Sequence, residues 1–558
     1  MPETTKSQYD RFRLITAFLV VGIISLVQPG CNCSSSNGGT PSAITSVSPA
    51  SSSATSLVTT DVSAIFRDDM DSATVESGFT LTLNNNQVAA TVSYDEATKT
   101  ATLSPGSDLV SSTEYRATIA SSVKDINGNS PLSSDYVWSF TSSPAMLLTS
   151  KNANGVTGFD VSQSADIDAT GRYIVFESEA TNLTSIATTL NRSHIYRKDT
   201  ITGEVILVSR DRAGLVEANN DAFNPSISTN GRYVVFESAA NNLDGTSFFR
   251  KQIYLKDLDN DDVTLISLTI EGLPDDGAND ASNAKVSDDG RYVLFQSSDF
   301  LMSTIHSGGI DQIYLKDMST GSAQMISRTA TGAAGNAASG NPDMSADGTH
   351  IVFESLATNF TASNSNNHIY YVDTSSEEYT VEQISVATGG AEADANSNKP
   401  SVSDDGSTVV FHTDATNLDV VADKNGTTDV YLHYRPLAFT KLISANPNTG
   451  KSGNDASRNA HITGNADYVV FDSLASDLVS GDVLGVKDIF VRDLSVLPDI
   501  TIERLNNPES GSEATADSDD PVISTDGRYV SFHSIVPYTI DDTNSWSDVF
   551  RAHNSTHR

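Results

Sequence analysis

From residue 145 onward the chain repeats one hydrophobic phrase. A serine-rich run leads into Ser-x-Asp/Asn-Gly, then Arg-Tyr-aliphatic-aliphatic-Phe, and about eighteen residues later Ile-Tyr-x-x-Asp. The phenylalanine falls at Phe176, Phe236, Phe295, Phe353, Phe411, Phe471 and Phe532, with successive spacings of 60, 59, 58, 58, 60 and 61 residues. A period this regular is the mark of a repeat architecture. In the second repeat the first strand ends at Pro225-Ser226-Ile227-Ser228, Asn230-Gly231 makes a tight turn, and Tyr233–Phe236 forms the second strand. Ile253–Asp257 and Val263–Ser267 supply the third and fourth. Asp/Asn-Gly between β-branched runs is a hairpin signal, because both central residues accept positive φ. The second strands are apolar at consecutive positions, as expected when both faces are covered. Four-stranded units in series predict an all-β fold, a seven-bladed β-propeller.

The seventh repeat runs only to its third strand, Asp548-Val549-Phe550-Arg551, while Met146–Ser150 reads as a fourth strand with no repeat of its own. Pairing the two would close the ring and satisfy that sheet's backbone groups. Connections between the first and second strands, and between the third and fourth, are short. The other two sets are long and emerge on one side of a meander. Loops on a rigid scaffold concentrate binding residues, so that side is the expected recognition face.

Residues 42–143 alternate differently. Ser63–Phe66, Phe79–Leu83, Ala90–Tyr94, Thr100–Leu103, Glu114–Ile119 and Tyr136–Phe140 are short half-buried strands broken by Asn84-Asn85-Asn86 and Asn127-Gly128-Asn129. About seven strands in a hundred residues suit a small Ig-like β-sandwich. Trp138 and Phe140 read as its core.

Two resemblances follow. Ser48-Pro49-Ala50, Met70-Asp71-Ser72-Ala73-Thr74, Tyr115, Asp125–Asn129 and Trp138-Ser139-Phe140-Thr141 resemble the SbsA-type bacterial Ig-like domain, which implies a spacer. Ser228–Gly231, Ser287–Gly290, Ser345–Gly348, Ser403–Gly406 and Ser524–Gly527 resemble the TolB-like (WD40-like) propeller repeat across residues 145–558. Repeat one is looser at Asp168-Ala169-Thr170-Gly171, and repeat six has Asn465-Ala466 in place of Asp-Gly. The resemblance implies an envelope-protein or cell-wall partner.

Residues 1–30 are an address. Lys6, Arg11 and Arg13 precede the charge-free run Leu14–Val27, the pattern of a secretory signal peptide. As a helix this run is ~21 Å long, short of the ~30 Å hydrocarbon core. The Gly30-Cys31 junction resembles a bacterial lipoprotein signal, which implies lipidation of Cys31 and a membrane anchor, with residues 31–41 as a flexible tether. Cleavage without lipidation would leave a secreted protein.

The chain of 558 residues has a net charge of −37 and two cysteines, Cys31 and Cys33. Such acidity repels phosphate backbones and argues against nucleic-acid binding. The cysteine count leaves no disulfide framework. Gly-x-Ser-x-Gly, His-Glu-x-x-His and Walker motifs are missing, so the expectation is a non-enzyme without a cofactor, a monomeric propeller. The alternative is a polysaccharide-active or sugar-binding protein using the central funnel. Asp423-x-Asn425-x-x-x-Asp429 and Asp542-x-Asn544-x-x-x-Asp548 alternate oxygen donors in a manner suited to Ca²⁺. At the corresponding last position other repeats have His194, Gln252, Gln312 or His368. His412 and His533 share a position with Glu177, Glu237, Gln296, Glu354 and Asp472, read as surface polar residues. The loop motifs around Asn182, Asn359 and Asn417 read as structural.

Overall fold

The computed structural model describes residues 43–557 apart from 54–55, 59–60, 246–249, 269–279, 299–308, 362, 377–378, 420–422, 496–500 and 509–512. The address segment and the whole tether, Cys31 included, lie outside the described residues. Among the described residues no helix is long and apolar enough to cross a membrane.

Seven four-stranded antiparallel sheets follow the Ig-like segment. Blade two, for example, comprises Ala222–Ile227, Tyr233–Ser238, Gln252–Asp257 and Asp262–Leu265, each strand pairing with the next. The seventh is completed as the sequence predicts. Met146–Leu148 pairs with Asp548–His553 in the register Phe550↔Leu148, Arg551↔Leu147 and Ala552↔Met146. The inner strand of blade one, Ser162–Ile167, packs against both inner strands of blade seven, so the ring is closed. Arg551, buried in blade seven, reinforces the seam: its Nη1 donates to Gly171 O at 2.7 Å and Thr200 Oγ1 at 2.8 Å in blade one.

The repeated aromatics explain the period. In every blade the phenylalanine faces a third-strand aromatic ring directly across the ladder, as Phe176↔Tyr196 and Phe532↔Phe550. The rings stack at centroid distances between 5.8 Å and 6.4 Å. Cross-strand aromatic pairs of this kind add to the area they bury. The Asp-Gly turn is equally specified. At Gly290, φ is +70° and a Cβ would come within 2.6 Å of the Tyr233 ring of the preceding blade, so both conformation and packing require glycine.

The Ig-like segment is a sandwich of two four-stranded sheets. It has eight strands and also a helix, Ser72–Gly78, that strand counting did not anticipate. The Met70–Thr74 motif is that helix's start: Asp71 is the N-cap, accepting from Thr74 N at 3.1 Å. Trp138 and Phe140 are core residues, as expected.

The sandwich docks on the short-turn side of the propeller. Val58 N donates to Tyr529 Oη at 3.0 Å. Asp108 meets Arg528 at 3.4 Å and the rings of His553 and His557 at 3.5 Å. Burial opposes the Asp108 charge, but hydrogen bonds from the two histidines and the Arg528 charge outweigh it. They hold its carboxyl well below the usual carboxylate range.

Candidate functional site

The long connections gather on the face opposite the Ig-like segment. Their polar side chains are spent on the loops themselves. Asn182 Nδ2 donates to Thr157 O at 2.8 Å and its Oδ1 accepts from Phe159 N at 2.9 Å. Asn242, Asn359 and Asn417 repeat this clamp in later blades. Leu183, Leu243 and Leu418 fill the space beneath. The structural reading of these motifs holds.

The loops also leave apolar side chains in solvent. Val156, Phe159, Leu190, Leu215, Val216, Val483, Leu484, Ile540 and Trp546 are exposed on this face. On the short-turn side, among the described residues, only Ile201, Leu437 and Phe439 are comparable. Phe159 is 65% exposed and Ile540 91%. Their loops are joined: Asn544 Nδ2 donates to Gly158 O at 2.9 Å and Ser162 N to Ser547 O at 2.8 Å. Phe159, Ile540 and Trp546 therefore belong to one bonded loop pair at the blade seven–blade one seam.

The central channel is narrower and mostly committed to structure. Each inner strand carries a bulge whose residue has positive φ, among them Asn224 (46°), Asn283 (54°), Lys399 (46°) and Asp520 (50°). Asparagine tolerates this left-handed conformation better than most residues. The bulges line a cavity of about 280 Å³. Below them Asp166, Lys285, Asp343 and His461 line the channel. Asp166 accepts from Ile227 N of the next blade at 3.0 Å, and Asp343 from Val402 N at 3.2 Å. The His461 imidazole, whose Nδ1 has no hydrogen-bond partner, is pushed down by burial.

The position shared by Glu177, Glu237, Gln296, Glu354, His412, Asp472 and His533 corrects the surface reading. Glu177, Glu237, His412 and Asp472 are buried, and the first three of these join blades, as does Glu354. Glu237 Oε1 accepts from Asn224 Nδ2 of its own blade at 3.0 Å and from Asn283 N of the next at 2.7 Å. His412 Nδ1 accepts from Asn459 N at 3.4 Å, and burial, with Lys399 and Arg458 nearby, pushes the imidazole down to about 4. The bulge turns an N–H out of the inner strand's ladder, and Glu177, Glu237, Glu354 and His412 receive those of Asn224, Asn283, Lys399 and Asn459. Alignment of the repeats gives the equivalence but not the bulge, so the role was not readable from the motif.

The two metal-like loops lie at the start of the third strands of blades five and seven. Asp429 Oδ1 accepts from Ser444 Oγ at 2.6 Å, and Asp423 Oδ2 from Tyr431 Oη at 3.2 Å. Burial, then the neighbouring Asp423 charge, pushes Asp429 up to about 7. Asp548 is likewise pushed up to about 7 by burial and Asp542, and Asp542 to about 6 by burial and Asp541. The asparagines take a different part. Asn425 accepts from Thr427 N and donates to Gly453 O, while Asn544 accepts from Trp546 N and donates to Gly158 O and to Asp548 Oδ2. Both hold the loop, leaving the paired aspartates as the candidate anionic ligands.

Residues 39–142 match the family model described as a bacterial Ig-like domain. No curated protein sequence matches the chain. In fold it is similar to TolB from Acinetobacter baumannii, with 18% identity over 66% of this chain and a TM-score of 0.32. The match spans 63% of that TolB. An oligogalacturonate lyase in complex with manganese is similar over 84% of this chain and 97% of its own, at 10% identity and a TM-score of 0.44. The β-propeller domain of the Trilobed protease from Pyrococcus furiosus, described as having an open velcro topology, is similar over 72% of this chain and 95% of its own. Its identity is 12% and its TM-score 0.43. In this chain the velcro is closed by Met146–Leu148.

Proposed function

We propose that this is a non-enzymatic binding protein of the bacterial envelope, which presents the long-loop face of its propeller to a protein or cell-wall partner. The observation that carries the reading is the pairing of two faces. The Ig-like spacer occupies the short-turn side, and the opposite side is left with Phe159, Ile540 and Trp546 in solvent. With the chain tethered through Cys31, that face points away from the membrane. Exposed aromatic and aliphatic side chains set in acidic loops suit a partner with an apolar anchor and basic surroundings. The channel acids Asp166 and Asp343 are already engaged by backbone N–H groups, which favours binding over turnover.

The test is capture from envelope extract by the full chain. A Phe159→Ser, Ile540→Ser, Trp546→Ser variant should lose the captured partner, and Leu437→Ser with Phe439→Ser on the other face should keep it. Equal capture by both would refute the reading. So would polysaccharide hydrolase or lyase turnover abolished by Asp166→Asn and Asp343→Asn.

A further inference from the structure

Blades five, six and seven open their third strand with aspartate, Asp429, Asp488 and Asp548, each preceded six residues earlier by another, Asp423, Asp482 and Asp542. Among the described residues only blade six answers this charge with a basic side chain. There Asp482, Asp488 and Glu513 offer oxygens within 4.8 Å of one another. Arg504 Nη1 stands among them, at 3.7 Å, 3.3 Å and 3.4 Å respectively. The strand register shows what replaces this arginine elsewhere. Arg504 lies opposite Phe490, while Leu442 lies opposite Tyr431 in blade five and Leu148 opposite Phe550 in blade seven.

Blades five and seven therefore keep the paired carboxylates and lose the guanidinium. Among the described residues no lysine, arginine or histidine forms an ion pair with Asp423, Asp429, Asp542 or Asp548. Two carboxylate oxygens of these blades are left without a donor. Asp429 is fully buried and its Oδ2 has no hydrogen-bond partner. Asp542 is 9% exposed and its Oδ1 has none either. A buried carboxylate oxygen without a donor is costly, and a second carboxylate beside it adds to the cost. Paired carboxylates completed by water are the donor set of hard divalent cations.

We propose that blades five and seven each hold a hard divalent cation, Ca²⁺ or Mg²⁺, between Asp423 and Asp429 and between Asp542 and Asp548, in the place that blade six gives to the Arg504 guanidinium. The inference does not depend on the binding reading. It does link to it, because the blade-seven loop that the ion would fix also carries Ile540 and Trp546.

The test is calorimetric titration of the full chain, stripped with EDTA, with CaCl₂ and separately with MgCl₂. Two ions should bind per chain, one in Asp429→Asn, one in Asp548→Asn and none in the double variant. The ion that gives heat names the cation. The wild-type melting temperature should fall by a few degrees in EDTA, and the double variant should not respond. Leu442→Arg, which copies blade six into blade five, should also remove one site while keeping the melt high without metal. This separates loss of a ligand from loss of folding. Silence of the wild type to both ions at ~10 mM, well above the usual range for extracellular sites, would overturn the proposal. So would two ions still bound by the double variant.

Discussion

Asp168 stands where blades two to five and seven have serine, at the head of the first hairpin of blade one. In blade two, Ser228 Oγ accepts from Tyr233 N at 2.9 Å and donates to Asn230 Oδ1 at 2.8 Å. Asp168 Oδ1 accepts from Tyr173 N at the same 2.9 Å, and its Oδ2 from Thr170 Oγ1 at 2.9 Å. The geometry is kept, but a carboxyl now sits where only 3% of the residue reaches solvent. Burial pushes it from 3.8 up to about 6. Below the unfolded value both states hold the proton and the carboxyl adds no penalty. As pH rises through the folded value the native state must ionise a buried group. At ~1.4 kcal/mol per pKa unit the penalty approaches about 3 kcal/mol by pH 8 and is roughly 1.6 kcal/mol at pH 5. Asp168→Ser keeps the acceptor for Tyr173 N and removes the charge. Urea unfolding of the full chain should show the variant more stable than wild type, with a gain larger by ~1.4 kcal/mol at pH 8 than at pH 5. A gain that does not change with pH, or a variant less stable at pH 8, would refute the argument that desolvation dominates at this turn.

Leu148→Ala removes the fully buried centre of the closing strand and should destabilise the propeller by about 2–5 kcal/mol, read as a lower urea midpoint, with cleavage by protease near residue 150 as the first new site. Ala466 holds the turn of blade six at φ +60°, so Ala466→Gly should stabilise by about 1 kcal/mol, seen as a raised melting temperature. Asp108→Asn should weaken the seat of the Ig-like domain by about 2 kcal/mol and speed proteolysis between residues 142 and 146. Because the Asp108 carboxyl is held low when folded, its contribution is full above an unfolded value of ~3.9 and is lost as pH falls below it, so acid should loosen wild type and leave the variant unchanged.

The blade count, the strand order and the borrowed strand at Met146–Leu148 were legible because they rest on periods. Phe176 to Phe532 mark equal steps, and a side chain that stacks on the same partner in each blade cannot drift from its spacing. Tyr233 on Gly290 is the same kind of constraint carried from blade to blade. The helix at Ser72–Gly78 was missed because seven residues make fewer than two helical turns, too few to show a period, and its clearest signal is the Asp71 cap. Glu237 and its equivalents were misread for a different reason. In sequence they are polar residues after an apolar strand, which is how a strand leaving the core looks. Their burial follows from the one-residue bulge in the next blade's inner strand, where an N–H turns away from its ladder. The partners of Asn425 and Asn544 were equally hidden, since Gly453 and Gly158 lie on other loops.

The first residue of the third strand shows where seven copies of one unit become chemically different. Its occupants are His194, Gln252, Gln312, His368, Asp429, Asp488 and Asp548, and in each blade it meets a small polar residue that follows the outer strand, Ser209, Ser267, Ser327, Ser385, Ser444, Asn506 or Ser150. The shared bond shows that the backbone treats all seven alike. Glutamine satisfies a buried site without a counter-charge, and His194, its imidazole pushed down by burial, has Glu217 at 2.9 Å. An ionised aspartate there needs a positive group for charge balance, and among the described residues only blade six supplies one. The difference among blades is therefore one of charge at constant shape, and it falls on the side of the propeller that carries the long loops. A cation that distinguishes blades five and seven from blade six must act through that charge, because all three blades place the paired aspartates at the same strand position.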